Sequence, residues 1–210
     1  NVRYYNRVLT AADITQLYEE GRPQPIRHFA LEADAQDKSG NAKHGSISGS
    51  PAGVLAIVNQ GMKFAHTDDG ISLNNEPRLE TVTAAAFVRV DTDAKTSATQ
   101  TIVSAWETEQ NYGLWVVRDA QGNNRITARF RKRSDSTHLF PEQAVTSTSV
   151  LKPGVFHHAA LTYDGAVLRL LINGQEEAAQ NLEGNEALTP ETTATNLLIG
   201  KAGNTDTALV

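Results

Sequence analysis

A period of two runs through most of this chain. In residues 125–133, Ile126, Ala128 and Phe130 fall on one side and Arg125, Thr127, Arg129, Arg131 and Arg133 on the other. That is the pattern of a β-strand with one face in a core and one face turned away from it. Residues 84–90 end on the same alternation, Phe87-Val88-Arg89-Val90, and 101–106, 112–118, 157–163, 167–172 and 197–200 are further short strand-like runs. Turn-forming residues separate them. Asp119-Ala120-Gln121-Gly122-Asn123-Asn124 predicts a hairpin, Asp164-Gly165 predicts a second, and Asn173-Gly174 turns the chain again. Many short strands with glycine-containing turns predict an all-β sandwich or barrel. Phe87, Phe130 and Phe156 are expected in its core, whereas Trp115 alternates with Leu114 and Val116, so one of these two sets faces outward.

One segment breaks the period. Thr10 is a good helix N-cap with Asp13 at the third helical position, and Ile14, Leu17 and Tyr18 share one face until Gly21, Pro23 and Pro25 stop the helix. Residues 1–21 therefore read as strand, turn and short helix, residues 22–25 as a stiff linker, and residues 26–210 as the sandwich.

Composition narrows the function. The chain has 210 residues, 40% hydrophobic and 20% charged, within the range of one large β-sandwich. No stretch approaches the ~20 apolar residues that cross a bilayer, so no membrane insertion is expected. The net charge of −5 gives no support to nucleic-acid binding, and the absence of cysteine removes disulfides, thiolate metal sites and cysteine nucleophiles. Asn1-Val2-Arg3-Tyr4-Tyr5 lacks the basic start and apolar core of a signal peptide, so the chain is expected to be mature or an internal fragment.

Three sets of residues carry candidate chemistry. Glu32, Asp34, Asp37, Asn41 and the carbonyls around Lys43 and His44 supply hard oxygen ligands of the kind calcium takes in shells of about six to eight; the alternative is a loop whose carboxylates cap backbone N–H groups. Asp68-Asp69 before Gly70 reads as a turn. The row Arg125, Arg129, Arg131 and Arg133 suits carboxylate or sulfate groups of an acidic polysaccharide, unless these arginines pair with neighbouring acids. Trp106, Tyr112 and Trp115 on neighbouring strands are candidates for stacking on sugar rings, or for the core. Catalysis is not expected. Glu107 and Glu109 lead into a turn, Glu176-Glu177 and His157-His158 point to opposite faces, and no nucleophile-elbow, zinc-protease or phosphate-loop motif is present.

Several blocks resemble the laminin G-like jelly rolls of the concanavalin A-like superfamily. Phe29-Ala30-Leu31-Glu32 with Asp37-Lys38-Ser39-Gly40-Asn41-Ala42-Lys43-His44-Gly45 is similar to the opening of that fold, and Met62-Lys63-Phe64 with 67–73 to its next block. The stretches 156–165 and 168–174 resemble its central hairpin, and Leu198-Ile199-Gly200 the strand after it. Asn1-Val2-Arg3-Tyr4-Tyr5-Asn6-Arg7-Val8-Leu9 is similar to the family's closing strand, which here stands first. Residues 1–21 then either close this domain in a permuted order, the favoured alternative because the linker is short, or end a preceding repeat, with strand exchange between copies as an intermediate. The resemblance implies a two-sheet antiparallel jelly roll, calcium at the loop 32–44, and an extracellular, bacterial carbohydrate-binding or adhesive module. The rival expectations are a structural spacer and a non-catalytic accessory domain of a polysaccharide-degrading enzyme.

Overall fold

The computed structural model describes residues 10–12, 25–57, 59–92, 99–106, 111–131, 142–182 and 194–201. Among these residues thirteen strands follow in chain order: β1 (Ser46–Ser48), β2 (Ala52–Leu55), β3 (Gln60–Lys63), β4 (Gly70–Pro77), β5 (Val82–Arg89), β6 (Thr99–Ala105), β7 (Tyr112–Arg118), β8 (Asn124–Phe130), β9 (Gln143–Thr146), β10 (Phe156–Tyr163), β11 (Val167–Ile172), β12 (Gln175–Asn181) and β13 (Ala194–Ile199). They form a seven-stranded sheet in the order β1-β4-β13-β6-β7-β8-β9, a four-stranded sheet in the order β12-β11-β10-β5, and the small hairpin β2-β3. Every pairing among them is antiparallel. This is an all-β, two-sheet sandwich: the alternation predicted a sandwich or a barrel, and the resemblance implied the two-sheet form.

The turns form for local reasons. At the β7–β8 turn the Asp119 carboxylate accepts the N–H of Gln121 at 3.0 Å and of Asn123 at 2.8 Å, and Arg125 Nε donates to it at 2.8 Å. The Asn123 N–H foremost, and then Arg125, hold its pKa down at about 2. Asp164 closes the β10–β11 turn in the same way, through the N–H groups of Ala166 and Val167 at 2.9 and 2.8 Å. Asn173 and Gly174 both take positive φ, 51° and 80°, which two-residue hairpin turns of the primed type require.

The two sheets meet through one parity of each strand. Leu114, Ile126, Ala128 and Phe130 of the large sheet join Leu161, Tyr163, Leu168 and Leu170 of the small sheet in a single buried cluster. Phe130 stacks on Tyr163 across the interface, with ring centroids 4.0 Å apart. Two expected core residues are not there. Phe87 is 61% exposed. Phe156 is half-buried and faces the same way, opposite Arg89 in the β5–β10 register. The reason is parity: Val82, Ala84 and Val88 already supply the core side of β5, which turns Phe87 outward with Arg89.

Of the expected N-terminal helix only Thr10, Ala11 and Ala12 are described, the last two helical. Strand 1–6, the rest of the helix and residues 22–24 of the linker lie outside the described residues, as do Glu107, Glu109 and Arg133. No helix among the described residues is long and apolar enough to cross a membrane.

Candidate functional site

The acid-rich loop folds around Asp37, which bridges to Phe29. Asp37 is buried, and its carboxylate accepts the N–H groups of His28 at 3.0 Å, Ser39 at 2.9 Å and Lys43 at 3.3 Å. Burial alone would raise its pKa; the Ser39 hydroxyl and these N–H donors outweigh it and hold the carboxyl well below the usual range. The other expected ligands turn to their own partners. Asp34 accepts from the Gln36 N–H at 3.1 Å and Glu32 from the Asn59 amide at 2.7 Å. Asn41 donates to the Ile26 carbonyl at 3.1 Å, and His44 Nδ1 accepts the Asp37 N–H at 3.1 Å. Among the described residues no three His, Asp or Glu side chains are placed to hold one metal ion. N–H dipoles aim their positive ends at both Asp37 oxygens, the arrangement of a carboxylate that caps backbone groups. Asp37→Ala is therefore expected to lower the melting temperature by the same amount in EDTA as in excess calcium. A loss seen only with calcium present would assign the loop to the metal.

Of the arginine row, Arg129 meets the two indoles on the face of the large sheet that points away from the core. Register sets Thr101 beside Trp115, Trp115 beside Thr127, and Thr127 beside Thr146, while Gly113 pairs with Arg129 and Ser104. Trp106 and Trp115 are buried yet stand outside the core cluster, edge to face with centroids 5.7 Å apart. The Trp115 ring lies over Gly113, where a Cβ would sit 2.4 Å from Cη2, so only glycine leaves the indole its place. The Arg129 guanidinium covers the same ring at 4.9 Å and reaches Glu142 at 3.4 Å. Thr127 and Thr146 share a hydroxyl hydrogen bond of 2.8 Å. Thr101 is 5% exposed, and its hydroxyl has no hydrogen-bond partner among the described residues.

Of three further sequence candidates, Arg125 and Tyr112 are otherwise employed. Arg125 is held by Asp119 and by the carbonyls of Ser147 and Thr148. Arg131 is half-buried, and its carbonyl accepts from Arg78 at 2.8 Å. Tyr112 belongs to the core cluster, where burial first, and then the Glu76 carboxylate, push its hydroxyl up to about 12. Tyr112 is thus a core residue and not part of the outward face.

The outward face of the small sheet carries a second group that the sequence analysis missed. Phe87 stands 4.9 Å from the His158 ring, its cross-strand partner, and Arg89 lies over the Phe156 ring at 5.0 Å. The signal was present, since Phe87 shares the parity of Arg89.

Comparison with known proteins identifies the family. Residues 65–210 match a laminin G family model described as the concanavalin A-like lectin/glucanases superfamily, and the chain belongs to that family. Among solved structures it is similar to domain 4 of AbnA, a GH43 extracellular arabinanase from Geobacillus stearothermophilus, in complex with arabinotriose. The identity is 17%, with 87% of this chain and 86% of that chain covered and a TM-score of 0.63. It is also similar to botulinum neurotoxin type C in a structure concerned with two ganglioside molecules, at 13% identity, covering 82% of this chain and 42% of that one, with a TM-score of 0.56. These likenesses establish the fold. The search of curated proteins finds no match.

Proposed function

We propose that this chain is an extracellular, non-catalytic carbohydrate-binding domain that takes a glycan on the outward face of its large sheet. The observation that supports this reading most is the Thr101 hydroxyl, buried without a partner among the described residues beside Trp115, on the side of the large sheet turned away from the core cluster. A buried hydroxyl left unpaired costs about 1–3 kcal/mol, and a sugar that displaces the Arg129 guanidinium from over the Trp115 ring would bring a hydroxyl to it. Arg129 and Thr146 supply further hydrogen-bonding groups, and the Trp115 ring, buried beneath Arg129, supplies an apolar surface once that side chain moves aside. The arabinotriose bound by the similar arabinanase domain agrees with a carbohydrate ligand.

Catalysis fits the described carboxylates poorly. Asp37 and Asp69 are filled by backbone N–H donors, and Glu76 by Arg27 at 3.0 Å and Lys43 at 2.8 Å. Glu177 accepts from the hydroxyls and N–H groups of Thr148 and Ser149. None of these four is left as a general acid facing a second carboxylate across a cleft, as glycoside hydrolysis requires.

Both tryptophans of the chain stand on the proposed face, so tryptophan emission reports its occupancy. Titration with arabino-oligosaccharides and with the hits of a glycan array is expected to shift that emission. Thr101→Val, which keeps the shape and removes the orphan hydroxyl, is expected to melt no lower than the parent and to bind about tenfold more weakly. Binding unchanged by Thr101→Val would show that the hydroxyl serves no ligand.

A further inference from the structure

We propose that the outward face of the small sheet is a second subsite, separate from the first, for one uncharged sugar unit stacked on Phe87. Its ligand class rests on the carbohydrate reading above; its place does not. Phe87 is 61% exposed, which is unusual for a phenylalanine in a strand with a sandwich behind it. It is fixed on one side by the tilted His158 ring at 4.9 Å. The neighbouring rows are low. Ala85 faces Ala160, and Thr83 faces Thr162, so the phenyl ring rises beside a shallow floor with hydroxyls at its far end. A flat aromatic face beside a shallow polar track presents an apolar surface of one ring with hydrogen-bonding groups around it. A sugar ring is complementary to this, having an apolar face and an equatorial rim of hydroxyls.

The charges on this face select against an acidic ligand. Arg89 is engaged by Asp91 at 3.5 Å and by the Phe156 ring, and Arg169 by Asp164 at 2.5 Å and Glu176 at 3.5 Å. Cations already paired within the sheet offer little attraction to a uronate or sulfate, and a carboxylate approaching Asp91 and Glu176 meets like charge. Size selects against a second protein. A stable interface takes about 800 Å² from each partner, whereas one phenylalanine side chain offers about 150–250 Å². Phe87 is the one large hydrophobic on the described strands of this sheet that is exposed.

The test uses affinity electrophoresis in gels containing neutral arabinan, neutral mixed-linkage glucan or polygalacturonate, alongside the emission titration and sedimentation of each variant. Phe87→Ala is expected to fold with an unchanged melting temperature, to weaken retardation by a neutral polysaccharide about tenfold or more, and to keep the tryptophan response. Retardation by the neutral gels unchanged in Phe87→Ala, with the tryptophan response intact, overturns the second subsite and leaves the first. A parent protein with neither retardation nor emission change overturns both. Retardation by polygalacturonate alone, fading with salt, overturns the neutral ligand. A dimer in the parent that Phe87→Ala dissociates makes the ring a self-association contact and overturns the subsite.

Discussion

Asparagine in place of Asp69 is expected to lower the stability of this domain by roughly 3–5 kcal/mol, from buried hydrogen-bonding groups that cost about 1–3 kcal/mol each when left unpaired. Asp69 is 1% exposed, and its one carboxylate gathers three backbone donors. Its Oδ1 accepts the Ser50 N–H at 2.7 Å, and its Oδ2 accepts those of Ala65 and His66, both at 2.9 Å. The chain after β1 is thereby tied to the chain before β4. Gly49 takes a φ of +70° against it, where a Cβ would lie 2.4 Å from Oδ1, so the loop cannot relax by moving closer. Asparagine keeps the shape and turns one acceptor arm into a donor aimed at another donor. Asp69 opposes its own burial with these N–H bonds, and its pKa lies below the usual value. A lowered folded-state pKa gives stability that is complete above the unfolded value near 4 and is lost as pH falls through the folded one. The amide that replaces the carboxylate has no such titration. The difference in melting temperature between parent and Asp69→Asn is therefore expected to be full at pH 7 and to shrink below about pH 4. Urea unfolding at pH 7 that separates the two by less than about 1 kcal/mol would mean the loop is held by something other than this carboxylate.

How much of this was legible depended on whether the deciding information was local. The β7–β8 and β10–β11 hairpins could be read directly, because Asp119 and Asp164 organise their own turns through N–H groups two to four residues on. The faces of β8 could be read too, since alternation alone sorts Ile126, Ala128 and Phe130 from Arg125, Thr127 and Arg129. The order of the large sheet could not. β13 enters between β4 and β6, and nothing near Leu197 or Leu198 announces partners as remote as Leu73 and Ser104. The acid loop was ambiguous for a different reason. A calcium loop and a capping loop use the same Asp and Asn residues, and only the N–H donors around Asp37, from positions 28, 39 and 43, separate them. The Thr101 hydroxyl carries no sequence signal at all, because its significance lies in the partner it lacks.

Phe130→Ala is expected to cost about 3–5 kcal/mol and to lower the melting temperature sharply, while Phe87→Ala costs close to nothing. Both rings lie in strand-like runs that suit a core, and parity separates them. Phe130 is 1% exposed and lies on the inward side of β8, stacked at 4.0 Å on Tyr163 of the opposite sheet. Tyr163 in turn donates its hydroxyl to the Gly165 carbonyl at 2.5 Å, so its ring cannot slide into a gap without breaking the β10–β11 turn. Truncation at 130 therefore leaves a cavity between the sheets that neither wall can close, and the penalty takes its cavity component as well as its transfer component. Truncation at 87 removes a ring that water already surrounds on most of its surface, so neither component arises. Thermal unfolding of the two variants beside the parent checks both outcomes at once. A Phe87→Ala that melts as low as Phe130→Ala would place the ring in a packed interface and remove the ground for a second sugar subsite on the small sheet.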